Sequence, residues 1–108
     1  MKHRPERVSS LIQEELGKIL VRDIEVDGAI ITITGVEINK DLEHASVYIG
    51  VFPPAKNEAV METLNAARQT LQWELTKKLN IRPMPSIAFK LDVGAENAAA
   101  VEKKLLGK

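Results

Sequence analysis

A break in alternation at one glycine constrains this chain more than any other feature. Residues 29–38 read Ala-Ile-Ile-Thr-Ile-Thr-Gly-Val-Glu-Ile, a β-branched, alternating run of the kind that forms strands. Ile31 and Ile33 share one parity, but beyond Gly35 the apolar residues fall at Val36 and Ile38, on the other. Successive strand side chains point to opposite faces, so this switch at a glycine predicts a β-bulge. Asn39-Lys40-Asp41 then makes a turn. Ala45, Val47, Ile49 and Val51 form the inward side of a second strand, with Ser46 and Tyr48 outward. Two strands so joined, near 30–38 and 44–51, predict an antiparallel hairpin.

Helical spacing surrounds this hairpin. Val8, Leu11, Ile12, Leu16, Ile19 and Leu20 make one stripe over residues 5–22, with Pro5 and Glu6 suited to a first turn. Gly17 inside this helix costs about 1 kcal/mol relative to alanine, so close packing against a sheet is its expected reason. Asp27-Gly28 supplies a turn. After Phe52-Pro53-Pro54, Asn57 is the expected cap of a helix over 57–79, whose stripe is Val60, Leu64, Ala67, Leu71, Leu75 and Leu79. Its length leads us to expect a kink or break within it. Asn80 closes it, and Pro83 and Pro85 forbid more helix. A third strand, 86–91, puts Ile87, Phe89 and Leu91 inward and Lys90 outward. Residues 95–106 suggest a short terminal helix. The expected fold is α+β, a three-stranded sheet packed on helices in the order α-β-β-α-β-α. Its core should contain Ile12, Leu16, Ile33, Val47, Ile49, Leu64, Leu71, Ile87 and Phe89.

At 108 residues the chain fits one domain, residues 1–108. It has no cysteine, which excludes disulfides, thiolate metal sites and a cysteine nucleophile. No apolar run approaches a membrane span, and Met1-Lys2-His3-Arg4-Pro5 lacks the stretch of a secretory signal, so a cytoplasmic location is expected. His3 and His44 are too isolated for a metal site or an acid–base pair, and turn chemistry accounts for Asp41, Glu43 and His44. No phosphate loop, nucleophile elbow or dinucleotide fingerprint occurs. We expect neither an enzyme nor a cofactor.

Charge is the remaining clue. Net charge is zero, which argues against a generic polyanion binder. It is unevenly spread, however: residues 1–22, 23–62, 63–90 and 91–108 carry +2, −6, +4 and 0. Lys77, Lys78 and Arg82 are the leading candidates for phosphate contact, with Arg68 and Lys90 weaker, and Arg4 and Arg7 as extensions from the first helix. A solvated face with cations at a helix C-terminus is the competing explanation. Among the aromatics, alternation turns Tyr48 outward, where it can stack on unpaired bases, whereas Trp73 and Phe52 are expected to serve packing.

The stretch from Thr34 to Ile49, Thr-Gly-Val-Glu-Ile-Asn-Lys-Asp-Leu-Glu-His-Ala-Ser-Val-Tyr-Ile, resembles the hairpin of ribosome-binding factor A. The likeness extends upstream to Arg4, Arg7-Val8 and Glu14-Glu15-Leu16. Downstream, Pro85-Ser86-Ile87-Ala88-Phe89-Lys90-Leu91-Asp92 is similar to that family's last strand. The resemblance implies a KH-like fold of type II and a monomer that binds the free small (30S) ribosomal subunit. It implies contact with 16S rRNA and help in its late maturation and end processing, without cutting it. KH domains generally clamp nucleic acid with a glycine-rich loop between helices. This family replaces the loop with a kink of alanine–any–glycine pattern. Here the corresponding Ala67-Arg68-Gln69 has no glycine, and the family's longer basic carboxyl-terminal extension has no counterpart before Lys108. A protein-interaction module that docks a ribosomal protein through the acidic 23–62 segment is the alternative.

Overall fold

The computed structural model describes residues 5–93. Helix α1 spans Pro5–Asp23, strands β1 and β2 span Ile30–Ile38 and His44–Phe52, helix α2 spans Asn57–Leu79 and strand β3 spans Ser86–Leu91. Five of the six expected elements thus occur within a residue of their expected bounds. The terminal helix expected at 95–106 lies outside the described residues. β1 and β2 pair antiparallel, and the register shifts between Ile33 and Gly35, leaving Thr34 as the extra residue. The bulge therefore does what the parity break demanded. Ile31, Ile33, Val36 and Ile38 all pack against the core.

β3 lies beside β2 and runs parallel to it, giving the order β1-β2-β3. A parallel neighbour needs a long crossover, and α2 supplies it. α1 packs mainly on β1 and α2 mainly on β3, so the two helices cover one face of the sheet. Val8, Ile12, Leu16, Val47, Ile49, Val60, Leu64, Leu71, Leu75, Ile87 and Phe89 fill the space between. Ile33 is the one residue of the expected core that is only half-buried. It sits on an edge strand, which has a neighbouring strand on one side only.

Three local expectations need correction. Ala67-Arg68-Gln69 and the rest of α2 are uninterrupted α-helix. No proline or glycine lies between 57 and 79, and Val60, Leu64, Leu71 and Leu75 bury one unbroken stripe, so nothing drives a kink. Asn57 does not cap α2. A 3-10 turn, Pro54–Lys56, leads straight into the helix, and Lys56, already in the right-handed helical region, occupies the cap position without a side-chain bond. The third concerns Gly17: a Cβ there would meet nothing within 4 Å, so close packing is not its reason. Gly17→Ala should therefore raise stability by about 0.5–1 kcal/mol, read as a higher urea midpoint with an unchanged slope.

Side chains of both helices satisfy the sheet's backbone. The Ser9 hydroxyl donates to the Val36 carbonyl (3.0 Å), and Gln13 Nε2 donates to the carbonyl of Ile33 beside the bulge (3.3 Å). Gln72 does more. Its Nε2 donates to the Pro85 carbonyl at 3.0 Å while its Oε1 accepts from the Ile87 N–H at 2.7 Å. The amide thus pairs with the start of β3 as a peptide group of a further strand would, covering part of an edge that would otherwise invite strand addition. Removing it would orphan a part-buried N–H, at about 1–3 kcal/mol.

Candidate nucleic-acid interface

The outer face of the sheet carries no helix among the described residues. Tyr48 is there, next to Lys90 in the β2–β3 register. Its phenol donates to Glu37 Oε1 at 2.8 Å. Thr34, lifted by the bulge, donates its hydroxyl to Asp92 Oδ2 at 2.6 Å. Gly50 leaves room for this: a Cβ there would come within 3.1 Å of Thr34 Cγ2. Two carboxylates flank Tyr48, so this face suits an approaching phosphate poorly.

The bond to Glu37, aided by desolvation, pushes the Tyr48 phenol above the ordinary tyrosine value. The protonated phenol is the form that the fold favours. Its contribution is thus full below the ordinary tyrosine pKa and lost as pH rises through the higher folded value. Tyr48 is the only tyrosine, so ultraviolet absorbance on alkaline titration reads it directly. Glu37→Gln should bring its midpoint back toward the ordinary value; an unshifted midpoint would show that Glu37 is not the cause.

The helical layer differs. The C-terminal half of α2 projects Lys77 and Lys78, both exposed, at the end where the helix dipole favours cations. Asn80 closes the helix in a left-handed conformation, with its N–H on the Thr76 carbonyl at 3.0 Å. Arg82 follows, also exposed. None of these three is in an ion pair among the described residues. The last turns of α1 come alongside, and Arg22 Nη2 reaches Glu74 Oε1 at 3.4 Å. Between the helices lies an open cleft of ≈ 340 Å³ lined by Lys18, Ile19, Arg22, Trp73, Lys77 and Lys78, together with Glu15 and Glu74. Lys77 Nζ stands 4.0 Å from the centroid of the Trp73 ring.

The remaining candidate bases among the described residues lie apart from this cluster. Lys90 points from β3 to the opposite face. Arg68 precedes Lys77 by nine residues, which at 3.6 residues per turn puts it half a revolution away, on the side of α2 from which Gln72 reaches β3. Arg7 is at the far end of α1 from Arg22. Arg4 lies outside the described residues. Trp73 and Phe52, expected to serve packing, are instead 60% and 66% exposed. A signal for Trp73 was available: it follows Leu71 by two residues, roughly 200° around the helix from the buried stripe. Lys18 and Arg22 escaped sequence reasoning because their nearness to α2 is a tertiary fact. Arg22 is charge-compensated: it bonds Asp23 at 2.8 and 2.9 Å, and this holds the Asp23 carboxyl below its ordinary value. Lys18 is shared between Glu14 and Glu15.

A family model described as ribosome-binding factor A matches residues 4–105. The chain belongs to that family. Ribosome-binding factor A of Synechococcus sp. (strain CC9311) is 40% identical over 102 residues, 91% of this chain and 76% of that relative. The crystal structure of ribosome-binding factor A from Thermus thermophilus superposes with a TM-score of 0.69 at 20% identity, covering 82% of this chain and 97% of that one. A homology model of the Thermus thermophilus factor, fitted into a cryo-electron-microscopy map of a 30S complex, superposes at 0.73 and 20% identity, covering 84% and 97%. The fold is the KH-like one that the hairpin resemblance implied. This member of the ribosome-binding factor A family carries α2 through the kink position as continuous helix.

Proposed function

We propose that this chain is a ribosome assembly factor that binds the free small (30S) ribosomal subunit in the cytoplasm. It would assist late maturation and end processing of 16S rRNA as a monomeric, single-domain adaptor, without catalysis of its own. Family membership carries this reading, together with the Thermus thermophilus relative fitted into a map of a 30S complex. The contact surface is the end of α2. Lys77, Lys78 and Arg82 are exposed, free of carboxylate partners among the described residues, and close together along the chain, so their charge is available to rRNA phosphates. Arg68, Lys90 and Arg7 serve as outlying contacts at most, since they lie away from this patch, and Arg4 is an extension from the start of the chain. A neutral chain that concentrates +4 over residues 63–90 binds at a defined place rather than coating polyanions.

The test is sedimentation of the purified chain with purified ribosomal particles. It should travel with 30S subunits and be lost from them as salt rises. A chain that stays at the top of the gradient, or travels only with large subunits, would overturn the proposal.

A further inference from the structure

The cleft between α1 and α2 presents the chain's only tryptophan to solvent. Trp73 is 60% exposed, although tryptophan is a residue whose large apolar area usually serves packing or interfaces. The ring has a neighbour one turn on, with Lys77 Nζ held over it at 4.0 Å, so it forms a platform with a cation attached. Of the eight residues lining the cleft, only Ile19 and Trp73 are apolar; the other six are charged. A groove for an amphipathic protein helix would show a row of apolar positions at three- and four-residue spacing, and this one does not.

The charges are also sorted. On the α1 wall, Lys18 is tied to Glu14 and Glu15, and Arg22 to Asp23 and Glu74. That wall is nearly neutral. Lys77 and Lys78, on the α2 side, are in no ion pair among the described residues. The cleft therefore combines one largely exposed aromatic ring, a neutral polar wall and two cations in no ion pair among the described residues on one rim. A flat ring that carries a phosphate matches all three. A base paired in a duplex has both faces covered by its neighbours, so the ring must come from an unpaired nucleotide.

We propose that this cleft holds one unpaired nucleobase of the bound RNA, stacked on Trp73, with the adjoining phosphates on Lys77 and Lys78. The inference rests on RNA being the ligand, as in the proposed function, and adds a single-stranded element to what is recognised. It makes Trp73 a contact whose contribution does not depend on charge, beside a patch that acts only by charge.

The single tryptophan makes the test direct, because the fluorescence of the full chain reports this site alone. Short single-stranded oligoadenylate should quench it saturably and more strongly than inorganic polyphosphate, which acts only by drawing Lys77 off the ring. Trp73→Leu, verified as folded by circular dichroism, should bind end-labelled oligoadenylate about tenfold more weakly, and Trp73→Phe should recover most of the loss. Equal quenching by oligoadenylate and polyphosphate would overturn the stacking site, as would unchanged binding by Trp73→Leu. Quenching seen only with isolated small-subunit proteins would assign the cleft to a protein instead. If Trp73→Leu binds oligoadenylate as wild type does while wild type still sediments with 30S subunits, the stacking site falls and the proposed function stands.

Discussion

Phe89→Ala should destabilise the chain by about 3–5 kcal/mol, a larger effect than any exposed substitution should have. Phe89 occupies the middle of β3 opposite Val47, is 7% exposed and points into the layer between sheet and helices. Truncation removes the ring's transfer free energy and leaves a cavity that the surrounding elements can only partly close. Domains of this size are stable by about 5–15 kcal/mol, so the loss is a large fraction of the total. Thermal unfolding should shift down by more than about 10 °C. Phe52→Ala is the matched control. Phe52 ends β2 at 66% exposure, opposite the 65% exposed Ile30, and its loss should cost less than about 1 kcal/mol. Similar losses for the two phenylalanines would contradict the orientation of β3.

The second large effect is electrostatic. Replacing Lys77, Lys78 and Arg82 together by alanine should flatten the salt dependence of 30S binding by about one unit of slope per lost phosphate contact. Between about 50 and 200 mM salt, wild type should lose roughly 20- to 60-fold more affinity than the variant does. The three side chains are exposed, so the variant should stay folded, with a modest cost for the Lys77 contact over Trp73. Reversing Glu58 and Glu62 should leave binding intact or improve it slightly. Equal retention of wild type and triple variant at both salts would remove this patch as the binding surface and move attention to the acidic 23–62 segment.

Much of the fold was legible because its determinants are local. The bulge followed from apolar residues that change parity at Gly35, and the helices from stripes at three- and four-residue spacing. Where local reading failed, it lacked a phase or a neighbour. Asn57 has the chemistry of a cap, but the 3-10 turn before it makes Lys56 the last non-α residue. Gly17 could be assigned to close packing only by supposing a neighbour, and none is there. The basic candidates illustrate the same limit at the site. Lys77 and Lys78 share the end of α2, and the exposed Arg82 follows four residues on, whereas Lys90 and Arg68 project elsewhere.

By itself, then, the sequence determined the elements among the described residues, the hairpin and its bulge, most of the core and the segment, 63–90, that carries +4. These follow from backbone geometry and side-chain periodicity, which act over a few residues. Tertiary structure decided that β3 runs parallel beside β2, that Gln72 pairs with its edge, and that α2 passes unbroken over Ala67-Arg68-Gln69. It also brought Lys18 and Arg22 of α1 to Trp73 and Lys77 of α2, more than fifty residues away along the chain, to make one cleft. Such pairings depend on which buried faces meet, and many sequences with the same periodicities could bury them differently.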